Sequence, residues 1–170
     1  MAIIDFFDRG WRINAKGSAY IQEDRHYSFD EVGELSCRIA NALLGAGFAK
    51  ETKGAVWASN DVTAWTCTLG LWRANLCWLP VGARNSAEDN HYVLDAFDCE
   101  VLFFQKYFAP VIAELRPRLP KIRLWVCIDG EPAALVYNRW AGELIADRLA
   151  SGGSILADTT MFPLATEAGR

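Results

Sequence analysis

The chain has 170 residues, 52% of them hydrophobic and 22% charged, with a formal net charge of -4. That length supports one domain with a real core and leaves little for a second. The apolar content excludes general disorder, and the acidic balance lacks the basic face expected of a nucleic-acid binder. The densest basic run, Arg116 to Arg123, is broken by Pro117 and Pro120 and reads as a solvated helix end and loop. Five cysteines (Cys37, Cys67, Cys77, Cys99, Cys127) show no CxxC spacing and stand among apolar residues, so they read as small buried hydrophobes. Asp5 and Asp8 stand where a signal peptide requires a basic stretch and then an apolar one. Only 11 uncharged residues separate Asp61 from Arg73, well below the roughly 18–20 that cross a bilayer. A cytoplasmic protein with no membrane span is expected.

In chain order, Asp5–Ile13 carries Phe6, Phe7, Trp11 and Ile13 and suits a short opening helix. Residues 18–22 and 26–28 flank the charged turn Glu23-Asp24-Arg25 as a small hairpin. Ser28 and Glu31 form a capping box, each satisfying an orphan N–H, and start a helix over residues 29–44. Val32, Leu35, Ile39 and Leu43 make its buried stripe, and Gly45 and Gly47 stop it.

Gly54 to Val81 holds only Asp61 and Arg73 as charged residues in 28 positions. It spells strand (55–59), helix (62–75, capped by Asn60 or Asp61) and strand (76–81), a βαβ unit. Continuous apolar strands are those of a parallel sheet covered on both faces, which places this unit at the centre of the sheet. A helix over 87–97 opened by Ser86 and Asp89, a strand at 101–104, a helix over 107–115 and a strand at 122–128 follow. The Asp129-Gly130 turn leads to a last helix over 137–149, and residues 151–170 lack periodicity, as a loose tail would. The fold class is α/β, an open, mostly parallel sheet with helices on both faces, one domain over residues 1–150. Strands 54–59, 77–81 and 101–104 are expected to be interior.

Ligands of open α/β sheets bind beyond the carboxyl ends of the strands, which nominates Asn60-Asp61 and Arg84-Asn85. The same residue types are ordinary caps and loop formers. No GxGxxG follows a strand, no GxxxxGK[ST] occurs, and Gly45-Ala46-Gly47 follows a helix. Glu88, His91 and Asp95 share one helical face with metal-ligand chemistry, yet His26 is the only other histidine, so the face reads as solvated rather than ligating. There is no GxSxG elbow. The residues by themselves assign no catalytic, cofactor-binding or metal-ligating position, and the tryptophans read as core.

Four segments, Tyr27 to Gly47, Val56 to Asn60, Leu69 to Pro80 and Glu88 to Phe104, follow one another in a familiar order and spacing. Together they include SCRIANALLGAGF, AVWASNDVTAWTCTLGLWRANLCWLPV and GARNSAEDNHYVLDAFDCEVLFF. This stretch, about Asp5 to Asp129, resembles the amino-terminal region of the AMP-forming acyl-CoA synthetases and ligases, the adenylate-forming superfamily. Two loops depart from that pattern, at Thr52-Lys53-Gly54 and at Gly82.

The resemblance implies the opening piece of an enzyme that adenylates a carboxylate with ATP and Mg²⁺ and passes the acyl group to coenzyme A. It also implies that the phosphate loop, the ribose-binding aspartate and the catalytic lysine of that family lie downstream of the resembling region. No cofactor is then held by this chain itself, which is expected to be inactive alone. Its expected partner is the remainder of the ligase, or another chain, on an exposed apolar face, with self-association of the isolated piece. The other reading is a non-catalytic binding domain that keeps the fold.

Overall fold

A computed structural model describes residues 2–129, and the expected turn at Gly130, the helix at 137–149 and the tail lie outside the described residues. The chain opens with α1 (Ile4–Ile13), the antiparallel hairpin β1 (Ser18–Gln22) and β2 (Arg25–Ser28), and α2 (Phe29–Gly45). Then β3 (Lys53–Trp57), α3 (Val62–Arg73), β4 (Cys77–Pro80), α4 (Ala87–Ala96) and β5 (Cys99–Phe104) alternate. A 3-10 turn at Lys106–Phe108, α5 (Ala109–Leu115) and β6 (Leu124–Cys127) follow. The main sheet is parallel, four strands in the order β4-β3-β5-β6.

Local signals set the boundaries. Ser28 Oγ accepts from Glu31 N–H at 3.2 Å while Ser28 N–H donates to Glu31 Oε2 at 2.7 Å, closing the capping box of α2. The bond from Ser28 N–H, with a second from the Ser28 hydroxyl at 2.9 Å, holds the Glu31 carboxyl below the usual glutamate range. At the other end Gly47 adopts φ +76°, and the N–H groups of Gly47 and Phe48 turn back to the carbonyls of Leu44 and Leu43, at 3.0 and 3.2 Å. That is a Schellman stop, and only a residue without a Cβ takes that φ at no cost. The next helix stops in the same way with Asn75 at φ 59°. Pro110 sits in the first turn of α5, where no N–H is required.

Each strand feeds two cores. Val56, Val101, Phe103, Leu124 and Val126 face α2 and α3, meeting Ile39, Leu43, Cys67 and Leu71. Ala55, Trp57, Leu102, Phe104 and Trp125 face α4 and α5, meeting Leu94, Ile112 and Leu115. With both faces dry, no position on β3 after Lys53 favours a polar side chain. The two helices of the first layer touch closely at Gly70, where a Cβ would strike the Ile39 side chain. A third cluster, Ile4, Phe7, Val32, Val62 and Leu69, seats α1 against α2 and α3.

Three expectations need correction. The last strand of the βαβ unit, β4, is an edge strand, with Cys77, Trp78 and Pro80 exposed. The chain places β4 on one side of β3 and then crosses to lay β5 on the other, so among the described strands only β3 and β5 are interior. The low charge of β4 reflects an aromatic cluster instead. Trp78 meets Trp65 and Trp72 edge to face, with centroids 6.4 and 5.9 Å away. Cys77 N–H bonds to β3's side, at Thr52 O, so Pro80 falls at a position whose missing N–H would point outward. Proline there blunts the edge. Secondly, Cys77 is exposed and Cys127 half-buried, unlike Cys37, Cys67 and Cys99. Thirdly, Trp65 and Trp78 are each 37% exposed, so not every tryptophan is core.

Arg73, the charge inside the apolar unit, ends α3 with a side chain 1% exposed. Its guanidinium grips both oxygens of Asp8 on α1, at 2.6 and 3.1 Å, and donates to Ser36 Oγ on α2 at 3.2 Å. Removing Asp8 leaves a buried cation unpaired, which costs far more than the intact pair contributes. Urea denaturation of Asp8→Ala is expected to show a loss of about 3 kcal/mol, most of it recovered when Arg73→Met is added. A double variant as unstable as the single one would contradict this account.

Candidate functional site

The crossovers decide where a ligand can sit. From β3 the chain leaves to α3 on one face, and from β5 to α5 on the other, so the two loops part above the carboxyl ends of adjacent strands. Such a topological switch point is where open α/β sheets bind ligands. Here Gln105, just after β5, bridges the gap. Its N–H donates to the Trp57 carbonyl at 3.2 Å and its Oε1 accepts from Ser59 N–H at 2.8 Å. The open space is displaced toward β4, as a cleft of about 930 Å³ between the loops that follow β3 and β4.

Both nominated pairs line this cleft, Asn60 and Asp61 on one wall, Arg84 and Asn85 on the other. Asp61 is the helix cap: its Oδ1 accepts from Ala64 N–H at 3.0 Å. Its other oxygen accepts from Gln22 Nε2 at 3.2 Å, and Gln22 Oε1 accepts from Val62 N–H at 2.8 Å. The hairpin therefore caps α3 from outside, and Tyr20 reinforces it by accepting from Trp65 Nε1–H at 2.7 Å. On the far wall, fully buried Asn90 donates to the Gly82 carbonyl at 2.9 Å and accepts from Asn85 Nδ2 at 3.1 Å. That amide shapes the 82–85 loop.

Sequence reasoning missed Gln22, Asn90 and Gln105, because a glutamine or asparagine announces nothing until its partner, here 40, 8 or 46 positions away, is known. It also read Trp65, Trp78 and Tyr107 as packing or helix residues, and all three line the cleft. The i, i+7 spacing of Trp65 and Trp72 was the available sign, an aromatic stripe on the side of α3 opposite Cys67 and Leu71.

The Glu88, His91 and Asp95 face is engaged elsewhere. Glu88 is held bidentately by Arg118 at 2.7 and 2.8 Å, which keeps its carboxyl below the usual range. Lys121 pairs with Asp95 at 3.2 Å and with Asp98 at 2.8 Å. The His91 Nε2 is buried without a protein partner rather than directed to a shared point with the carboxylates. Among the described residues no three His, Cys, Asp or Glu side chains converge as a metal cage requires. His26 sits on the hairpin, its Nδ1 3.2 Å from Ser18 Oγ. Burial pushes the Cys99 thiol up to about 12 and the Cys67 thiol higher still, so neither is a nucleophile. Among the described residues the lining of the cleft has one acid, already used as a cap, one guanidinium, and no histidine, cysteine or lysine.

The pattern of the AMP-binding enzyme family matches residues 7–148, most of the chain. The protein belongs to the AMP-binding enzyme family. Among its relatives, the 4-hydroxybenzoate--CoA/benzoate--CoA ligase of Rhodopseudomonas palustris is 27% identical over 133 residues, 78% of this chain and 25% of the relative. The medium-chain acyl-CoA ligase Mig of Mycobacterium avium is 29% identical over 124 residues, 65% of this chain and 22% of the relative. This chain thus spans about a quarter of the length of these curated relatives. The fold is that of the N-terminal domain of FACL13 from Mycobacterium tuberculosis, with TM-score 0.69 at 21% identity, over 98% of this chain and 38% of that one. It is also that of the anthranilate CoA ligase AuaEII, with TM-score 0.72 at 21% identity, over 75% of this chain and 25% of that one. In this member of the family no described helix is long and apolar enough to cross a membrane.

Two outcomes are expected. Asn90→Leu strands the Gly82 carbonyl and the Asn85 amide, so it should cost about 1–3 kcal/mol in urea and speed amide exchange across residues 82–85; unchanged exchange there would refute the assigned role. Zinc calorimetry should show no stoichiometric binding that His91→Ala abolishes, since both carboxylates of that face already hold cations.

Proposed function

We propose that the chain acts as the amino-terminal region of an AMP-forming acyl-CoA ligase, an enzyme that adenylates a carboxylic acid with ATP and passes the acyl group to coenzyme A in the cytoplasm. One observation carries the reading: the family match runs through residues 7–148, while the chain spans about a quarter of its ligase relatives. A fatty acid is one substrate class to test, because Mig is a medium-chain acyl-CoA ligase, and an aryl acid is the other, because the Rhodopseudomonas relative is a benzoate ligase.

The chain's own residues supply structure and one wall of a cleft. Adenylyl transfer needs positioned backbone N–H groups, a lysine and a metal to take up charge on the phosphates. Among the described residues the cleft offers a single guanidinium, Arg84, and no lysine, which does not fit a triphosphate with its metal. We assign no catalytic step to it. The remainder of a ligase, or a partner chain, covers exposed apolar side chains such as Phe6 and Ile13 on α1. A non-catalytic binding domain is the second reading, favoured by a lining that has walls for a ligand but no acid–base pair.

Pyrophosphate release from ATP, measured with benzoate and with short to long fatty acids, is expected to stay at the no-protein level for the 170-residue chain. Light scattering should show self-association. Turnover above the control, or a monomer that binds no apolar dye, would sink the proposal.

A further inference from the structure

We propose that α1 of one chain docks on the outer side of α4 of a second copy, head to tail, so that the 170-residue chain assembles into rows. This rests on the reading that another chain covers the exposed apolar side of α1, and it names that chain.

The opening helix has two apolar sides. Ile4, Phe7 and Trp11, at i, i+3 and i+7, are seated on α2 and α3. Phe6 and Ile13, with Ile3 just before the helix, turn away from that seat and are 68, 75 and 59% exposed. Arg9 stands between Phe6 and Ile13, three positions after one and four before the other. It is exposed and holds no carboxylate of a described residue. The acids of its own helix are used elsewhere: Asp5 Oδ2 accepts from Ala2 N–H at 2.7 Å, and Asp8 turns inward to Arg73.

The fourth helix carries the counterpart. At 3.6 residues per turn, Asp89 and Ala96 lie between Tyr92 and Phe97 on the side of α4 turned away from buried Leu94. Tyr92 is 70% and Phe97 54% exposed. Arg118 holds Glu88, and Lys121 holds Asp95 and Asp98. Asp89 is paired with no cation among the described residues, and its Oδ2 accepts from the Ser86 hydroxyl at 2.7 Å. Two apolar side chains with a carboxylate between them thus match two with a guanidinium between them.

These surfaces cannot meet inside one chain. The helices under α1 cover one face of the sheet, whereas α4 covers the other. Their contact is therefore heterologous, and because the two surfaces lie on opposite sides of the molecule it adds copies in a row instead of closing a pair. Pairing α1 with α1 about a two-fold axis would set Arg9 against its own copy, a like-charge contact. One helix on another buries less than the roughly 1,200 Å² of a stable interface, so the rows are reversible.

Sedimentation of the chain over a concentration series should show an average mass that rises without a plateau and falls in high salt, which screens Arg9 from Asp89. Phe6→Glu disables one surface and Tyr92→Glu the other, and both positions are exposed enough to leave the urea midpoint in place. Each variant alone is expected to associate at least about tenfold more weakly than the parent. An equimolar mixture of the two should form a one-to-one pair and grow no further. Arg9→Glu should also stop growth, and adding Asp89→Arg in the same chain should restore it. A mass that levels off at a dimer, a mixture that stays monomeric, or growth untouched by these variants would overturn the contact. So would Phe6-dependent binding to anionic vesicles by a chain that stays monomeric. A monomer that still binds apolar dye overturns this contact and leaves the ligase reading standing, whereas turnover of ATP does the reverse.

Discussion

Strand β3 has a strand on each side and a helical layer on each face, and the rest of the fold is arranged to satisfy that one position. A parallel strand cannot be joined to its neighbour by a tight turn, so each pairing requires a helix to cross over. Going out to β4 and back past β3 to β5 puts the intervening helices on opposite faces, because the handedness of the crossover is fixed. The dry interior and the open crevice therefore have one cause. The helices that bury the strands must leave them in diverging directions, and the loops they leave from cannot close over the strand ends.

The amino-terminal part makes that crevice rigid. Asp8 and Arg73 tie α1 to the end of α3, while Gln22 and Tyr20 tie the hairpin to its start. The two ties hold the helix at both termini, which fixes Trp65 on the cleft wall between them. Phe7 joins the ties by packing on Trp11, Tyr20 and Phe29, with centroids 5.4 to 6.5 Å away. The hairpin, although outside the main sheet, is in this way part of the site's support. Gln105 does the same from β5 and keeps the loop after β3 from spreading.

The chemistry of the cleft follows from what this support leaves unused. Asp61 is spent on a helix start, Asn85 and Asn90 on a loop, and Gln105 on a backbone bridge, which leaves Arg84 as the side chain of the lining with an ionic charge not engaged by a described residue. The ligase relatives are about four times as long as the stretch they share with this chain.

Sequence by itself determined most of the described elements and the family. The capping box at Ser28, the glycine stop at Gly47, the uncharged run from Gly54 to Val81 and the order of four familiar segments are local features, readable because a cap, a stop or a buried strand depends on residues close by. The location of a possible site was also legible, since Asn60-Asp61 and Arg84-Asn85 follow strands. Only the tertiary structure decided that β4 is an edge, because a strand's neighbours depend on the direction of the next crossover and not on its own composition. It likewise decided that Arg73 is clasped by Asp8 across 65 residues, that Glu88 answers to Arg118, and that Trp65 and Trp78 line a cleft instead of filling a core. Apolar residues record that they leave water, but which surface they leave it against is set by partners far away in the chain.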